Sequence, residues 1–558
     1  MPLFDSLYIP LSGVEQKPVR RSISMLASTF VVLNILSVLL SIVFLYGFDI
    51  ASFLTGFGVV LLLTFIGSIL VAALPSNNLA MDRGYLLFSV LAMVFLPVIN
   101  TFAASNPNNQ SSTSWISSAI ILLLLGFGTV MAWKKRTRSH SVIFGGFHQE
   151  KQSMRSIIEF IILIFCLLVG LFFAYQLLVG KTGGVVELIL PGYALFFSIA
   201  TLAITALLMK KKRTMFSVFL AVVGIMIAVI FSVPVVATLF SINEAEQEFA
   251  ETFGESWEEN ISDVDHSYFL PTIFSLPNYF FGTRTENYML KEDILFYEGT
   301  EGVDEGIELY FDAYLPTENS ESLPGNRAVL IRIHGGGWTI GNKGAVNYAG
   351  VNKYFASQGY VVFDVQYGLS NEEKFVDFAP VSENVVGDFT IDDMVRHIGI
   401  FTDYLVTNND EFNGDLDTVF VSGPSAGGQL ASAVGLGLAS GQYSDILNQA
   451  LEVKGIIPIY PAHELAGQIG IDGSEELVDP ALLVTENSPP ALIFQGSEDG
   501  IVDPSIAKAF DESYANQDNE RSILLMMPLA GHNSDFYFST YYNQLLIYYM
   551  ERFMLKVR

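Results

Sequence analysis

Cysteine is almost absent from this chain of 558 residues, which has only Cys166. A single cysteine excludes an intramolecular disulfide framework. Basic residues are also scarce, with 29 Lys and Arg against 57 Asp and Glu and a formal net charge of −28. Because an acidic surface repels phosphate, this balance argues against a nucleic-acid partner.

The charge is unevenly distributed along the chain. Up to Phe240 there are 15 basic and 7 acidic residues, and the remainder has 14 and 50, so the net charges are +8 and −36. The first part also contains apolar runs, each near the ~20 residues that a membrane-crossing helix needs. These runs are 24–45, 51–73, 85–104, 115–133, 157–179, 186–209 and 216–240. We therefore predict an all-α polytopic membrane domain of about seven helices over residues 1–241, since repeated runs are unlike a signal peptide.

Acidic residues are few in the apolar runs themselves. Glu159 and Glu187 are in or beside these runs, both near an end. Charges that serve an ion or proton pathway are expected inside a span. The membrane part is therefore interpreted as an anchor or a lipid-binding module, with membrane lipid as its partner.

The basic residues of the first part predict its orientation. They precede the first run and fill the fourth and sixth connections, whereas the third connection is uncharged and the fifth has only Lys181. By the positive-inside rule the N-terminus is cytoplasmic, so seven crossings leave the chain after Phe240 outside the cell. A large outer part without cysteine suggests a bacterial cell surface, although a domain of ~270 residues also has core enough without disulfides.

Residues 242–287 are predicted to be an acidic and aromatic linker. Its Glu-rich start is compatible with an extension of the seventh helix, and the part up to His266 is typical of a solvated segment. The following stretch, YFLPTIFSLPNYFFGTR (268–284), is rich in aromatic residues and interrupted by proline. Two interpretations stay open for residues 267–285: a segment at the membrane interface, or a lid over the mouth of the next domain.

From residue 288 onward, apolar β-branched runs alternate with helical patterns. The first two runs are typical of antiparallel strands, and those near 327–334 and 360–368 are continuously apolar, as strands covered on both faces should be. Such alternation predicts a mostly parallel sheet flanked by helices over residues 288–558. Functional residues are then expected where the strands end.

A Gly-x-Ser-x-Gly motif follows one of these strands. Ser425 lies between Gly423 and Gly427, and a helical run follows it. The pentapeptide alone occurs often by chance. A serine on a tight turn from strand to helix projects its hydroxyl, so this context makes Ser425 the candidate nucleophile.

A serine nucleophile needs a base and an acid that orients the base. Asp499 and His532 follow the next strands, and the order Ser, Asp, His is that of an α/β-hydrolase sheet. Glu498 and Asp503 are competing acids. We prefer Asp499 for its spacing to Val502, and we expect Asp503 to cap the following helix. Three other histidines, His266, His397 and His463, are interpreted as structural or loop residues. A further histidine lies in a glycine-rich motif.

Three consecutive glycines follow an apolar strand in the stretch HGGGW (334–338). Backbone N–H groups stabilise the oxyanion that forms when a serine attacks a carbonyl, and side chains would obstruct that approach. We therefore assign the amides of Gly336, Gly337 and Ala426 as oxyanion donors, with His334 as a brace of the loop. A flexible turn is the alternative interpretation of the glycines.

Together these motifs resemble those of the hormone-sensitive-lipase-like and feruloyl-esterase-like carboxylesterases. The resemblance covers residues 290–558. It rests on three motifs, which are His334–Trp338 (including Gly335), Gly341–Lys343 and Gly423–Gly428. It implies an α/β-hydrolase fold and a serine esterase. The family often has Tyr-Arg-Leu after its fourth strand, whereas this chain has Gly368 between Tyr367 and Leu369.

The resulting hypothesis is a membrane-anchored serine hydrolase that cleaves carboxylic esters of a small molecule, glycan or lipid without a metal or other cofactor. The segment between Tyr460 and Ala491 is short, so we expect no large lid and small acyl groups. Two alternatives stay open: a cell-surface acyltransferase that uses the same triad, and a non-catalytic receptor or binding module. The oligomeric state is left open.

Overall fold

The structure is a computed structural model, and most of the chain is described. The described residues are 13–76, 78–138, 154–210, 215–259, 261–285, 287–317, 322–344, 348–374, 376, 379, 381 and 383–558. Several basic residues used to predict the orientation, including Lys151 and 211–213, lie outside them.

Seven of the described helices are long and apolar enough to cross a membrane, which confirms the predicted all-α first part. They are α1 (Gly13–Leu45), α2 (Ala51–Ala73), α3 (Leu79–Ser105), α4 (Trp115–Arg138), α5 (Met154–Val179), α6 (Val185–Met209) and α7 (Met215–Phe253). Helix α7 extends beyond the apolar run into the Glu-rich segment.

The chain divides into two compact units, each made of several stretches. The first unit comprises Met1–Pro97, Trp115–Tyr175 and Leu195–Ser232. The second comprises Val98–Ser114, Gln176–Ala194 and Val233–Arg558. The second unit therefore includes two short stretches that precede residue 241, while the boundaries 1–241, 242–287 and 288–558 stay a prediction.

Buried polar contacts join the helices of the first unit. The Asn34 side chain donates to Ser68 Oγ at 2.9 Å. At another point Asp82 is buried and pairs with Lys135 at 3.3 Å and with Lys210 at 2.7 Å. Such contacts give specificity to helices whose apolar surfaces alone would pack in many ways.

The second unit contains a sheet of eight strands in the order β1-β2-β4-β3-β7-β8-β9-β10. Strand β2 pairs antiparallel with β1 and β4, and the other pairs are parallel. This arrangement confirms the predicted mostly parallel sheet. The strands, with a separate short pair β5 and β6, are β1 (Tyr288–Glu298), β2 (Glu308–Pro316), β3 (Ala328–Ile333), β4 (Val361–Val365), β5 (Leu369–Ser370), β6 (Val386–Gly387), β7 (Asp415–Pro424), β8 (Val453–Ile459), β9 (Ala491–Gly496) and β10 (Ser522–Met527).

Helices cover the sheet, so that every residue of β3, β4 and β9 is buried. Helix α12 packs against β7 and β8, and α14 against β9 and β10. The further helices are α8 (Asp263–His266), α9 (Leu276–Phe281), α10 (Tyr348–Ser357), α11 (Ile391–Phe412), α12 (Ala426–Ser440), α13 (Glu475–Val478), α14 (Pro504–Ala515) and α15 (Tyr541–Val557). A capping box between Thr390 and Asp393 begins α11.

The second half of the aromatic stretch 268–284 is buried in the second unit, whereas Tyr268 at its start is exposed. Tyr279 and Phe280 of α9 are fully buried, and Tyr279 stacks on Tyr541 of α15 at 5.9 Å. The Leu270 N–H donates to Glu551 of the same helix at 2.8 Å. These rings are therefore packing groups of the core.

Candidate active site

Ser425 lies on the tight turn between β7 and α12. Its backbone has φ 56° and ψ −124°, a conformation that is strained for a residue with a side chain. The turn also requires glycine on both sides: a Cβ on Gly423 would lie 2.3 Å from the carbonyl oxygen of Gly427, and one on Gly427 would lie 2.1 Å from that of Ile333. The Ser425 N–H donates to the Ile459 carbonyl at 2.8 Å, which ties the turn to β8.

The structure brings Ser425, His532 and Asp499 together in a row. His532 Nε2 is 3.0 Å from Ser425 Oγ, and His532 Nδ1 is 2.8 Å from Asp499 Oδ2. With the proton on Nδ1, the Nδ1–H group donates a hydrogen bond to the carboxylate. Nε2 is then free to accept a hydrogen bond from the serine hydroxyl. This is the geometry that a general base needs.

The backbone of its own loop holds the Asp499 carboxylate. Oδ1 accepts from the N–H groups of Ile501 at 2.9 Å and Val502 at 2.8 Å, and Oδ2 accepts from the Gln495 amide at 3.1 Å. One carboxylate oxygen is thus fixed by the backbone while the other faces His532. Gln495 is a further residue of this site that the motifs do not indicate. Its sequence signal is a polar amide side chain within the otherwise apolar run of β9.

Asp503, the competing acid, lies at the start of α14. Its side chain is exposed and accepts from the Ser505 N–H at 2.9 Å, as expected of a helix cap. That backbone hydrogen bond, with the hydroxyl of Ser505 and the charge of Lys181, lowers the pKa of Asp503 to about 2. The structure therefore places Asp499, and not Asp503, against the histidine.

The glycine-rich loop passes close to the serine turn. A Cβ on Gly335 would lie 2.7 Å from the Pro424 carbonyl and 3.3 Å from Ser425 Cβ. Gly336 and Gly337 have φ values of 124° and 57°. No hydrogen bond from the amides of Gly336, Gly337 or Ala426 to another described residue is present.

His334 and Trp338 hold the two ends of this loop. His334 Nδ1 is 2.8 Å from the Gly335 carbonyl, and its ring stacks on Tyr367 at 4.5 Å. Burial lowers the pKa of His334 to about 4, so the ring is neutral at pH 7 and its Nδ1–H donates to that carbonyl. The Trp338 indole N–H donates to Gln429 Oε1 of α12 at 2.9 Å.

His397 occupies the space beside Gly368, where the related enzymes often have arginine. The Gly368 N–H donates to His397 Nδ1 at 3.2 Å, and a Cβ there would lie 2.6 Å from His397 Cε1. His397 Nε2 is in turn 3.0 Å from Asp304 Oδ1, and Arg396 pairs with the same carboxylate at 2.6 Å. His397 and Arg396 of α11, together with the buried Asp304, therefore brace this position.

His266 and His463 are not part of the described row of hydrogen bonds from Asp499 to Ser425. His266 is the last residue of the short helix α8. His463 is buried, with its ring against Phe510 at 4.6 Å.

Comparison with known proteins shows that part of this region is similar to esterases. Residues 311–475 match the model of the family described as BD-FAE. The chain is 26% identical over 230 residues to the esterase LipC of Mycobacterium tuberculosis. That alignment covers 37% of this chain and 53% of LipC. It is 21% identical over 235 residues to the probable carboxylic ester hydrolase LipM of the same organism. That alignment covers 38% of this chain and 51% of LipM. The chain thus spans about half the length of these two relatives.

Solved structures include esterase 2 of Thermogutta terrifontis. Its apo form is 20% identical, with 47% of this chain and 90% of that chain covered and a TM-score of 0.36. The family match and the esterase relatives confirm the resemblance of this region to α/β-hydrolase carboxylesterases that the motifs predicted.

Proposed function

We propose that the chain is a membrane-anchored serine hydrolase that cleaves carboxylic esters. Ser425 is the nucleophile, His532 the general base and Asp499 the acid that orients it. The proposal rests on one observation, the continuous row of contacts from Asp499 through His532 to Ser425, at 2.8 and 3.0 Å. The esterase names of the relatives support the same class of reaction.

The proposed reaction has two halves. His532 Nε2 takes the proton of Ser425 Oγ as that oxygen bonds to the ester carbonyl carbon, and the same proton then goes to the departing alkoxide. Water then attacks the acyl-serine while His532 Nε2 accepts a proton from it. The Oγ–acyl bond breaks as His532 returns that proton to Ser425 Oγ, which releases the acid and restores the starting state. The amides of Gly336, Gly337 and Ala426 stabilise the oxyanion in both halves.

We further propose that the acyl group is small. The connection between β8 and β9 contains only α13 and short 3₁₀ turns as regular elements, and the aromatic stretch near α9 is buried against α15. Neither segment has the extent of a large lid. Acetyl esters of glycans or other small esters would suit such a site better than long acyl chains.

The basic connections support an orientation with the active site outside the cell. With the N-terminus cytoplasmic by the positive-inside rule, an odd number of spans such as the seven candidates would leave the sheet on the opposite side. A bacterial cell surface fits an outer part without cysteine.

The test uses the full chain in detergent micelles, because residues 98–114 and 176–194 belong to the same compact unit as the sheet. A series of p-nitrophenyl esters from acetyl to palmitoyl is hydrolysed by the unaltered chain and by Ser425→Ala. We expect turnover that depends on Ser425 and is fastest for acetyl or butyryl. Faster cleavage of the long-chain esters would contradict the small acyl pocket.

The acyltransferase alternative is tested in the same assay. A sugar or lipid alcohol is added, and the products are analysed for a new ester. Acyl transfer that exceeds hydrolysis would overturn the proposed hydrolase. A folded chain without turnover on any ester, with or without an acceptor, would instead favour a binding module.

A further inference from the structure

Glu187 is a buried acidic residue in the first turn of α6, with 6% of its surface exposed. Its Oε1 accepts from the Gly500 N–H at 2.6 Å and from the His532 N–H at 3.3 Å. Its Oε2 accepts from the Gly183 N–H at 2.6 Å and from the Thr182 hydroxyl at 3.3 Å. One carboxylate thus joins three loops of the second unit.

Two of these loops carry the proposed acid and base. Gly500 directly follows Asp499, and the other amide belongs to His532 itself. We propose that Glu187 is a positioning residue for this pair, and that the connection between α5 and α6 is part of the catalytic apparatus. The inference rests on the proposed function, since it explains how a stretch outside the sheet region would serve that site.

The backbones of the two loops are shaped to receive Glu187. A Cβ on Gly531, the residue before His532, would lie 2.3 Å from Glu187 Cγ. A Cβ on Gly500 would lie 2.5 Å from the backbone carbon of Lys181 and 2.8 Å from Glu187 Oε2. Glycine at both positions therefore lets the α5–α6 connection approach the acid and base loops closely.

Further contacts hold this connection within the second unit. The Lys181 N–H donates to the Glu498 carbonyl at 3.1 Å, which adds a backbone bond to the acid loop. The Tyr279 hydroxyl donates to the Gly192 carbonyl at 3.0 Å, and that of Tyr541 donates to the Pro191 carbonyl. The stretch that carries Glu187 is thus tied to α9 and α15.

A simpler role would be to stabilise the start of α6 alone. An acidic residue in the first turn interacts favourably with the helix dipole and with free N–H groups. The contacts of Oε2 with Gly183 and Thr182 fit that role. The contacts of Oε1 do not, because both of its donors are more than 300 positions away along the chain.

Three variants of the full chain in micelles test the inference. Glu187→Leu removes both acceptors at similar length, and Glu187→Gln keeps one acceptor oxygen. Glu246→Gln is the matched control, because it makes the same change from carboxylate to amide at a residue that accepts a hydrogen bond from the Tyr549 hydroxyl at 2.8 Å. Each variant is assayed for kcat and KM on p-nitrophenyl acetate, for Tm, and for amide hydrogen exchange of the peptides around Gly500 and His532.

We expect Glu187→Leu to lower kcat by roughly 10- to 100-fold with little change in KM, because small displacements of catalytic groups impair the chemical step. Exchange of both peptides should become faster. The kcat of Glu187→Gln should fall between those of Glu187→Leu and the unaltered chain, and the kcat of Glu246→Gln should match that of the unaltered chain.

Unchanged exchange at both peptides in Glu187→Leu would overturn the inference whether or not the chain is an esterase. Faster exchange with unchanged kcat would also overturn it, since Glu187 would then hold the loops without serving the reaction. If the unaltered chain has no turnover that depends on Ser425, the proposed function fails, and the exchange data alone decide whether Glu187 holds both loops.

Discussion

The ring of Tyr460 lies against that of His532, with 4.5 Å between the ring centroids. Tyr460 directly follows β8, and its hydroxyl donates to the buried Asp535 carboxylate at 2.7 Å. The tyrosine therefore limits the positions that the proposed base can adopt, while its hydroxyl is engaged elsewhere.

This contact predicts different effects of removing the hydroxyl and the ring. Tyr460→Phe loses one hydrogen bond, so the free energy of unfolding should fall by about 1 kcal/mol with kcat nearly unchanged. Tyr460→Ala also removes the packing against His532 and should lower kcat roughly tenfold or more. Denaturant unfolding and ester hydrolysis measure the two effects. Equal loss of kcat in both variants would show that the hydroxyl, and not the ring, matters.

Two acidic residues of one loop, Asp499 and Asp503, are candidates for the acid that orients His532. A matched pair of Asp→Asn variants distinguishes them. Asp499→Asn should lower kcat by roughly 10³- to 10⁴-fold, because an amide no longer holds the required histidine tautomer. Asp503→Asn should leave kcat unchanged, because asparagine also caps helices and residue 503 is exposed. The same ester assay compares both variants, and the opposite order would reassign the acid.

The glycines of the HGGGW loop are expected to be intolerant of a side chain. Gly336 has φ 124°, and a Cβ there would lie 2.2 Å from the Ile340 carbonyl oxygen. Gly336→Ala should displace a proposed oxyanion donor and lower kcat by roughly 10²- to 10³-fold. Gly467→Ala is the control, because a Cβ there meets no described atom within 4 Å. A variant at position 336 with normal kcat would exclude that amide from the oxyanion site.

Stability should depend on pH through His463. Burial lowers its pKa from 6.5 to about 3, so between these values the unfolded chain binds a proton at this residue and the folded chain does not. The contribution of His463 to stability is therefore lost as the pH falls from 6.5 towards 3. The Tm of His463→Leu, relative to the unaltered chain, should be higher at pH 4.5 than at pH 7.5. An equal difference at both pH values would contradict this prediction.

Much of the sheet, and of the row of contacts from Asp499 through His532 to Ser425, was predictable because the sequence signals for both are local. The motifs around Ser425 and His334 each combine an apolar strand with the residues that follow it, and a parallel sheet brings such strand ends together. Asp499 and His532 were found by the same rule.

Gln495, four positions from Asp499, has only a weak local signal, and other contacts that the sequence does not predict join positions far apart along the chain. Glu187 was assigned to the end of an apolar run, yet it contacts His532, 345 positions away. Likewise the third connection was used only as an uncharged segment that indicates orientation, whereas its Asn106 carbonyl accepts from the Lys353 side chain at 3.0 Å. No local pattern encodes these contacts, since they depend on how distant segments fold together.

The second unit is assembled from three separate stretches of the chain, and this has a consequence for proteolysis. Its two earlier stretches, Val98–Ser114 and Gln176–Ala194, are each flanked on both sides by stretches of the first unit. A protease that cuts after α7 would release the sheet region without these stretches, and hence without Glu187. Under the proposed function, such a fragment should have lower ester turnover than the uncut chain, because it lacks the residue proposed to position its acid and base.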